Sequence, residues 1–379
     1  MSTDAATDAP TEELPPVEPA EGHWHGHGPF RPGPVGWAGR GVVYLALAWL
    51  FLLFIPNRPA YVDVAAEAVI FAIVGLSLNI LIGYTGQLSL GHQGFFGVGA
   101  FAAAYVGTVH QFPFPLTFVV ALIMGALIAL LLGLVALRIS GLYLALITLV
   151  FGLTLEGSLF EVQEFTNAGA GQPANRPEWL FDSGNFYYFC LGFLVAALYV
   201  DWRLVKTKAG RALLALKENE RVAEAFGINV TVYKLLAFML SGAMAGVGGA
   251  LFAYLIGNVT GNDYSFFLAL TFVLMTVVGG LGSRVGVVLG AFLFASLDFW
   301  IHEPAVAQYV NKVFVTENMQ QFAAQFIGAI GLLLTLIFNP GGIAQQVSPF
   351  TRWLAGKRFS LHGDADSGPG AVEGSSVRA

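Results

Sequence analysis

The sequence predicts an all-α polytopic integral membrane protein, and three observations carry that prediction. Hydrophobic residues make up 56% of the 379 and charged residues only 11%, a balance foreign to a soluble domain of this length. Apolar runs of about 20 residues, enough to cross the hydrocarbon core of a bilayer, recur about ten times. They are centred near residues 48, 72, 102, 125, 150, 192, 245, 273, 293 and 330. The connections between these runs alternate between rich and poor in Lys and Arg.

Residues 1–34 carry Pro, Glu, Ala and Gly and too little apolar surface to offset the entropy of ordering, so they read as a disordered cytoplasmic tail. Within them His23, His25 and His27 alternate in a Gly/Pro context. No scaffold fixes a ligand geometry there, and no metal site is expected. The tail is acidic and no small-residue cleavage site follows the first apolar run, so that run reads as an anchor and not as a cleaved signal peptide. A single cysteine, Cys190, sits inside an apolar run. It excludes an internal disulfide and is most simply a small apolar side chain.

Basic residues in short loops are retained on the cytoplasmic side, which orients the chain. With the N-terminus inside, one set of loops holds Arg31, Arg40, Arg138, Arg203, Lys206, Lys208, Arg211, Lys217, Arg221, Lys234, Arg284, Arg352, Lys357 and Arg358. The other set holds Arg58, Arg176 and Lys312. Both termini are therefore expected in the cytoplasm, with the segments near 57–63, 161–184, 257–265 and 303–320 facing outward. The expected organisation is a transmembrane domain over 35–345, containing a cytoplasmic loop at 202–233, followed by a cytoplasmic tail at 346–379.

After the second run, "LNILIGYTGQLSLGHQGFFGVGAFAAA" sets a dense series of glycines beside Gln87, Ser89, His92 and Gln93. Glycine weakens a helix, and irregular backbone at bilayer depth persists only where it is buried in protein or lines a wet cavity. A broken helix near residues 83–94 is expected, with Gly83, Gly86, Gln87, Ser89, Gly91, His92 and Gly94 as candidates for a solute path. The polar side chains serve equally well to satisfy the broken helix itself. A weak internal echo appears at "GGLGSRVGVVLGAF" from Gly279, which also follows a run heading inward and closes on Gly-Ala-Phe. Paired glycine-interrupted segments mark substrate paths in transporters built from repeats, while small residues at spacing of four also serve helix packing.

The longest basic loop, from Trp202, puts Ala212, Leu216, Ala223 and Phe226 on one face of a short amphipathic helix, and Gly227 stands where a helix end favours a left-handed residue. Such a helix lies on a membrane surface or seats in a groove of a cytoplasmic protein. The chain shows no HExxH, no Cys/His metal spacing, no Gly-x-Ser-x-Gly and no phosphate-binding loop, so no enzyme chemistry and no cofactor are expected. Glu67, Glu156 and Glu161 fall toward the outer ends of their runs. Ion relays keep acids in the bundle interior, so uphill movement of a solute calls for energy from a partner.

These stretches, with "GLYLALITLVFG", "VVGGLGSRVGVVLGAF" and "GLLLTLIFNPGGI" in this order, resemble the LivM-type permease subunit of branched-chain amino acid ABC importers, within the LivH/LivM permease group. The resemblance covers roughly residues 60–345. It implies a second LivH-type permease subunit, two cytoplasmic ATPase subunits that bind the ATP, and an extracytoplasmic solute-binding protein. It also implies a multi-pass chain in the lipid of a bacterial inner membrane, with no nucleic acid among its partners. "NERVAEAFGINV" is similar to the loop through which such permeases meet their ATPases, implying that role for Glu218, Asn219, Ala223, Glu224, Ala225, Phe226 and Gly227. Where family members show a glycine-rich outer segment with a Gly-Leu pair, this chain reads "NAGAGQPANRP". The group also serves urea and short amides, and an ATP-independent channel for a small neutral solute is the reading from a different class.

Overall fold

A computed structural model describes residues 59–302, apart from 138, 140, 164, 165 and 167–169, together with 341–354 and isolated positions between 329 and 337. The expected tail at 1–34, the apolar run near 48, most of the run near 330 and the tail beyond 354 lie outside the described residues. The other eight runs each fall on a helix: α1 (Pro59–Asn79), α2 (His92–Thr108), α3 (Phe114–Ala136), α4 (Leu142–Gly157), α5 (Ser183–Lys206), α8 (Val230–Ile256), α9 (Phe266–Gly279) and α10 (Arg284–His302). Between α5 and α8 lie two short helices, α6 (Lys208–Glu218) and α7 (Glu220–Ala225), and α11 (Gly342–Leu354) follows the bundle.

Among the described residues, six helical segments are long and apolar enough to cross a membrane. The segment built on α1 is the most buried of them, lying among α5, α8, α9 and α10. Helix α2, with 17 residues, is short because the irregular stretch ahead of it takes up part of the depth. Helix α8 packs closely on both α2 and α3. In lipid no hydrophobic force drives helices together, so small residues that let backbones touch carry the association. The stretch "SGAMAGVGGALFA" of α8 supplies them.

Helix starts follow local chemistry. Asp182 accepts from the Asn185 amide at 3.1 Å to cap α5, Thr207 from Gly210 at 3.3 Å to cap α6, and Asn229 from Val232 at 3.1 Å to cap α8. Each side-chain oxygen satisfies an amide that the first turn leaves open. The stretch between the spanning helices therefore runs from Thr207 to Asn229, because Trp202 to Lys206 complete α5.

Connections cluster at two ends of the bundle. At one end lie the α1–α2 break, α6, α7 and the α9–α10 turn, with most of the described basic residues. At the other, a two-residue strand β1 (Gln172–Pro173) pairs antiparallel with β2 (Asn258–Val259). There Arg176 donates to the Leu255 carbonyl at 2.7 Å and stacks 4.1 Å above the Phe186 ring. Burial in this loop disfavours its charged form and lowers its pKa.

Candidate functional site

The broken helix is present, with its irregular backbone at residues 86–91, inside the expected 83–94. Helix α1 widens into a π-helical turn at Ile80–Tyr84, the backbone is irregular from Gly86, and α2 begins at His92. His92 and Gly94, expected within the break, are helical. The π turn keeps Gly83 and Tyr84 helical, so irregularity starts later and ends earlier than glycine content suggests. Gly86 has φ of 70°, the left-handed region that glycine alone enters without strain.

The stretch after Tyr84 turns back into the bundle. His92 Nε2 lies 3.0 Å from Ser241 Oγ on α8, and Ser241 donates to the Ser77 carbonyl at 2.7 Å. Ser77 precedes Tyr84 by about two helical turns, or about 10 Å, so His92 sits well inside the bundle. The irregular backbone is satisfied by protein, as bilayer depth demands. The Gln87 amide donates to the Leu81 carbonyl at 2.9 Å, Thr85 to the same carbonyl at 2.6 Å, and the Leu90 amide to Thr148 Oγ1 at 2.9 Å. His92 Nδ1 lies 3.2 Å from Ser89 Oγ. In this arrangement His92 and Ser89 are buried and partnered, so they stabilise the broken helix, while Gly86 and Gln87 line an open cleft.

The glycines of this stretch have different reasons to be glycine. A Cβ on Gly91 would strike the Thr148 carbonyl, one on Gly83 would lie 2.9 Å from the Gly282 amide, and one on Gly94 2.8 Å from Leu155 Cδ1. All three are points where elements press together.

The cleft, of about 480 Å³, runs between Thr85, Gly86 and Gln87 on one side and Lys217, Glu218 and Arg221 on the other. Gly86 and Gln87 from one candidate set and Glu218 and Asn219 from the other therefore line one space. Lys217 Nζ donates to the Gly83 carbonyl at 2.9 Å, gripping the π turn. Glu220 is held by Lys234 of α8 at 2.7 Å. The loop thus grips α1 with one side chain and α8 with another.

The loop forms two helices, whereas one was expected. Asn219 breaks the run and caps α7, accepting from Arg221 at 3.0 Å and Val222 at 3.3 Å. This interruption resets the helical phase. Ala212, Leu216 and Ala223 are buried by the chain itself, as one apolar face, but Phe226 does not join them and is 82% exposed. Ala223, at 3% exposed, is committed to internal packing and is no knob for a partner. Gly227 has φ of 80°, the left-handed residue expected after the helix, and Glu218, Glu224 and Ala225 are exposed.

Residues that sequence reasoning passed over complete this end. Asn79 Oδ1 accepts from the Gly282 amide at 2.7 Å, joining the two glycine-rich segments of the internal echo. Tyr84 donates to Asp201 Oδ2 at 3.1 Å, and Arg284 forms an ion pair with the same carboxylate. The available signal was Asp201 itself, an acid at the end of an apolar run, since ionisable groups inside spans are rare and kept for a reason. At the opposite end a cavity of about 330 Å³ is lined by Glu161, Gln163, Thr166 and Asn262. Among the described residues no cluster of His, Cys, Asp or Glu could hold a metal.

Long apolar helices around a polar broken segment, gripped at one end by a basic amphipathic loop, define a multi-pass membrane transport protein. Residues 60–316 match the family described as branched-chain amino acid transport system permease component, and the chain belongs to that family. Its members are transport components and not enzymes. The chain is 29% identical to the high-affinity branched-chain amino acid transport system permease protein LivM of Escherichia coli, over 81% of this chain and 74% of that one. It is 28% identical to LivM of Salmonella typhimurium, over 83% and 76%. The galactose/methyl galactoside import permease protein MglC of Salmonella typhimurium is 26% identical over 72% of this chain and 89% of its own. No solved structure matches the chain significantly.

Proposed function

We propose that this chain is the LivM-type permease subunit of an ATP-driven importer of branched-chain amino acids in a bacterial inner membrane. On this reading it works with a LivH-type permease subunit and two cytoplasmic ATPases, which bind the ATP. An extracytoplasmic binding protein delivers the solute. The stretch containing Gly83, Gly86, Gln87, Ser89, Gly91, His92 and Gly94 then borders the path, and the loop from Glu218 to Gly227 meets an ATPase.

The observation that carries the reading is the Lys217 to Gly83 hydrogen bond, which ties the loop expected to meet the ATPase to the broken helix expected to border the path. A ligand or nucleotide moves an equilibrium only through differential contacts with its two states, and this bond is one that a docked partner can alter. Branched-chain amino acids are the solute of choice because the LivM relatives match over four-fifths of the chain.

Phe226 is the exposed aromatic of the loop. Loss of a buried aromatic anchor at an interface costs on the order of 2 kcal/mol or more, so Phe226→Ala weakens ATPase docking by tens of fold. In proteoliposomes holding the full complex, stimulation of ATP hydrolysis by loaded binding protein falls while the variant folds as wild type. Full stimulation and full leucine uptake by Phe226→Ala would remove the loop from the coupling path. Ala223→Asp acts differently: it damages the chain's own packing and belongs with folding variants.

Orientation has its own test. Cys190 is buried and is the chain's one cysteine, so a Cys190→Ala background carries single probes cleanly. An impermeant maleimide labels Glu178→Cys in intact cells and Lys208→Cys only after the membrane is opened, as the basic-residue asymmetry requires. The reverse pattern inverts the topology.

A further inference from the structure

We propose that the Gln93 carboxamide is a solute-contacting group of the path, one that reads the charged α-ammonium and α-carboxylate of an amino acid when α4 separates from α2. This rests on the importer reading and assigns a specific residue to it.

Gln93 is fully buried, and neither its Nε2 nor its Oε1 has a hydrogen-bond partner among the described residues. Its surroundings sharpen the contrast. His92 engages Ser89 and Ser241, and Thr148 donates to the Ala145 carbonyl at 2.8 Å while accepting from Leu90. Asn79 Nδ2, Gln87 Oε1 and the Tyr187 and Tyr264 hydroxyls also lack a partner, but Gln93 is the carboxamide among the described residues with both of its ends buried and unsatisfied, and such a group calls for a reason. Polar groups inside spans, where they are expensive, mark solute pathways.

The amide presses against Gly152 of α4, where any Cβ would collide with it. At this position α4 contributes no side chain, so its backbone lies directly against the carboxamide. Helix α4 belongs to the least buried of the six candidate spans, and its far face carries exposed Tyr143, Leu146, Val150 and Leu153. Against α2 it rests on Gly91, Gly94 and Gly152. Leu155 and Phe151 of α4 also reach this seam, at Gly94 and Phe95, so movement of α4 withdraws these two side chains and parts the Leu90–Thr148 hydrogen bond as it uncovers the amide.

The ligand class follows from the carboxamide. Its Nε2 donates to a carboxylate and its Oε1 accepts from an ammonium, so it recognises the part shared by all amino acids and leaves side-chain selection to other groups.

The test uses the full complex in proteoliposomes with leucine-loaded binding protein. Gln93→Leu removes a polar group that has no partner in the closed arrangement, so its thermal unfolding midpoint equals or exceeds that of wild type. Its leucine uptake nevertheless falls at least about tenfold, the loss expected when one buried hydrogen-bonding site is removed, with ATPase stimulation retained. Gln93→Glu, which opposes the solute carboxylate, loses uptake likewise. In a Cys190→Ala background, Gln93→Cys is protected from a small thiol reagent at rest and modified during turnover. Uptake by Gln93→Leu within twofold of wild type, or Gln93→Cys protected throughout turnover, overturns the proposal. If Gln93→Leu does not fold, the Gln93→Cys accessibility decides alone. Failure of wild-type complex to take up leucine strikes the importer reading instead, so the two failures are distinct.

Discussion

Gly246→Leu abolishes the folded bundle. Gly246 lies on α8 where three helices meet at the level of backbone: a Cβ there would sit 2.5 Å from the Ala121 carbonyl and 3.2 Å from Gly125 Cα, both of α3. Gly99 of α2 approaches from another side, its own Cβ position colliding with the Gly246 backbone. Gly242, one turn earlier, presses on Ala129 and Gly125 in the same way. Added methylenes in a packed core cost about 1–3 kcal/mol when side chains can rearrange. Here the obstruction is main chain, and room for a leucine comes only from parting α8 from α3, which forfeits the close contacts that hold membrane helices together. The matched control is Gly192→Leu on α5, where nothing lies within 4 Å of the added Cβ. Size-exclusion chromatography of detergent-solubilised protein should show a monodisperse peak for Gly192→Leu and aggregate for Gly246→Leu. A monodisperse Gly246→Leu variant would refute this packing.

Arg284→Ala destabilises the chain by about 3–5 kcal/mol, the usual consequence of removing one partner from a buried ion pair. The Asp201 side chain is 0% exposed against 29% for Arg284, so truncating Arg284 strands a carboxylate that solvent cannot reach. Tyr84 continues to donate to it, but a neutral hydroxyl does not balance the charge. Asp201→Asn with Arg284→Ala restores most of the loss, because the amide needs no counter-charge and still accepts from Tyr84. Thermal unfolding of the purified chain in detergent measures both variants. Equal midpoints for Arg284→Ala and wild type would show that the pair contributes nothing. The damage also reaches the site: Tyr84 closes the π turn whose Gly83 carbonyl accepts from Lys217, so loosening Asp201 loosens the end of α1 that the coupling loop grips.

Glycine-rich sequence at 83–94 announced a break, and a break is there, but the single letter G conveyed neither its limits nor its reasons. Gly86 is required by a left-handed backbone, whereas Gly91 is required by the Thr148 carbonyl of a helix more than fifty residues away. Substitution of Gly91 therefore breaks packing first, and a bulky Gly91 variant that lost uptake would say little about a path. Phe226 illustrates the same limit. Its spacing placed it with Ala212, Leu216 and Ala223, yet Asn219 ended one helix and capped the next, and Phe226 emerged on the surface.

What the sequence determined by itself are properties that accumulate within one stretch of chain: the all-helical membrane class, the positions of eight described helices and the left-handed turn at Gly227. Apolar length, capping residues and glycine conformations act between neighbours, so no knowledge of the rest of the molecule is needed to read them. The tertiary structure alone decided which polar groups meet. Asp201 and Arg284 are 83 residues apart, Gly83 and Lys217 134, and His92 and Ser241 149. Several acids, lysines and serines of the same chemistry were available to each. Helix packing selected among them, because at bilayer depth a buried polar group pairs with whatever partner the glycine contacts bring within reach, and where they bring none, as at Gln93, it stays unpaired.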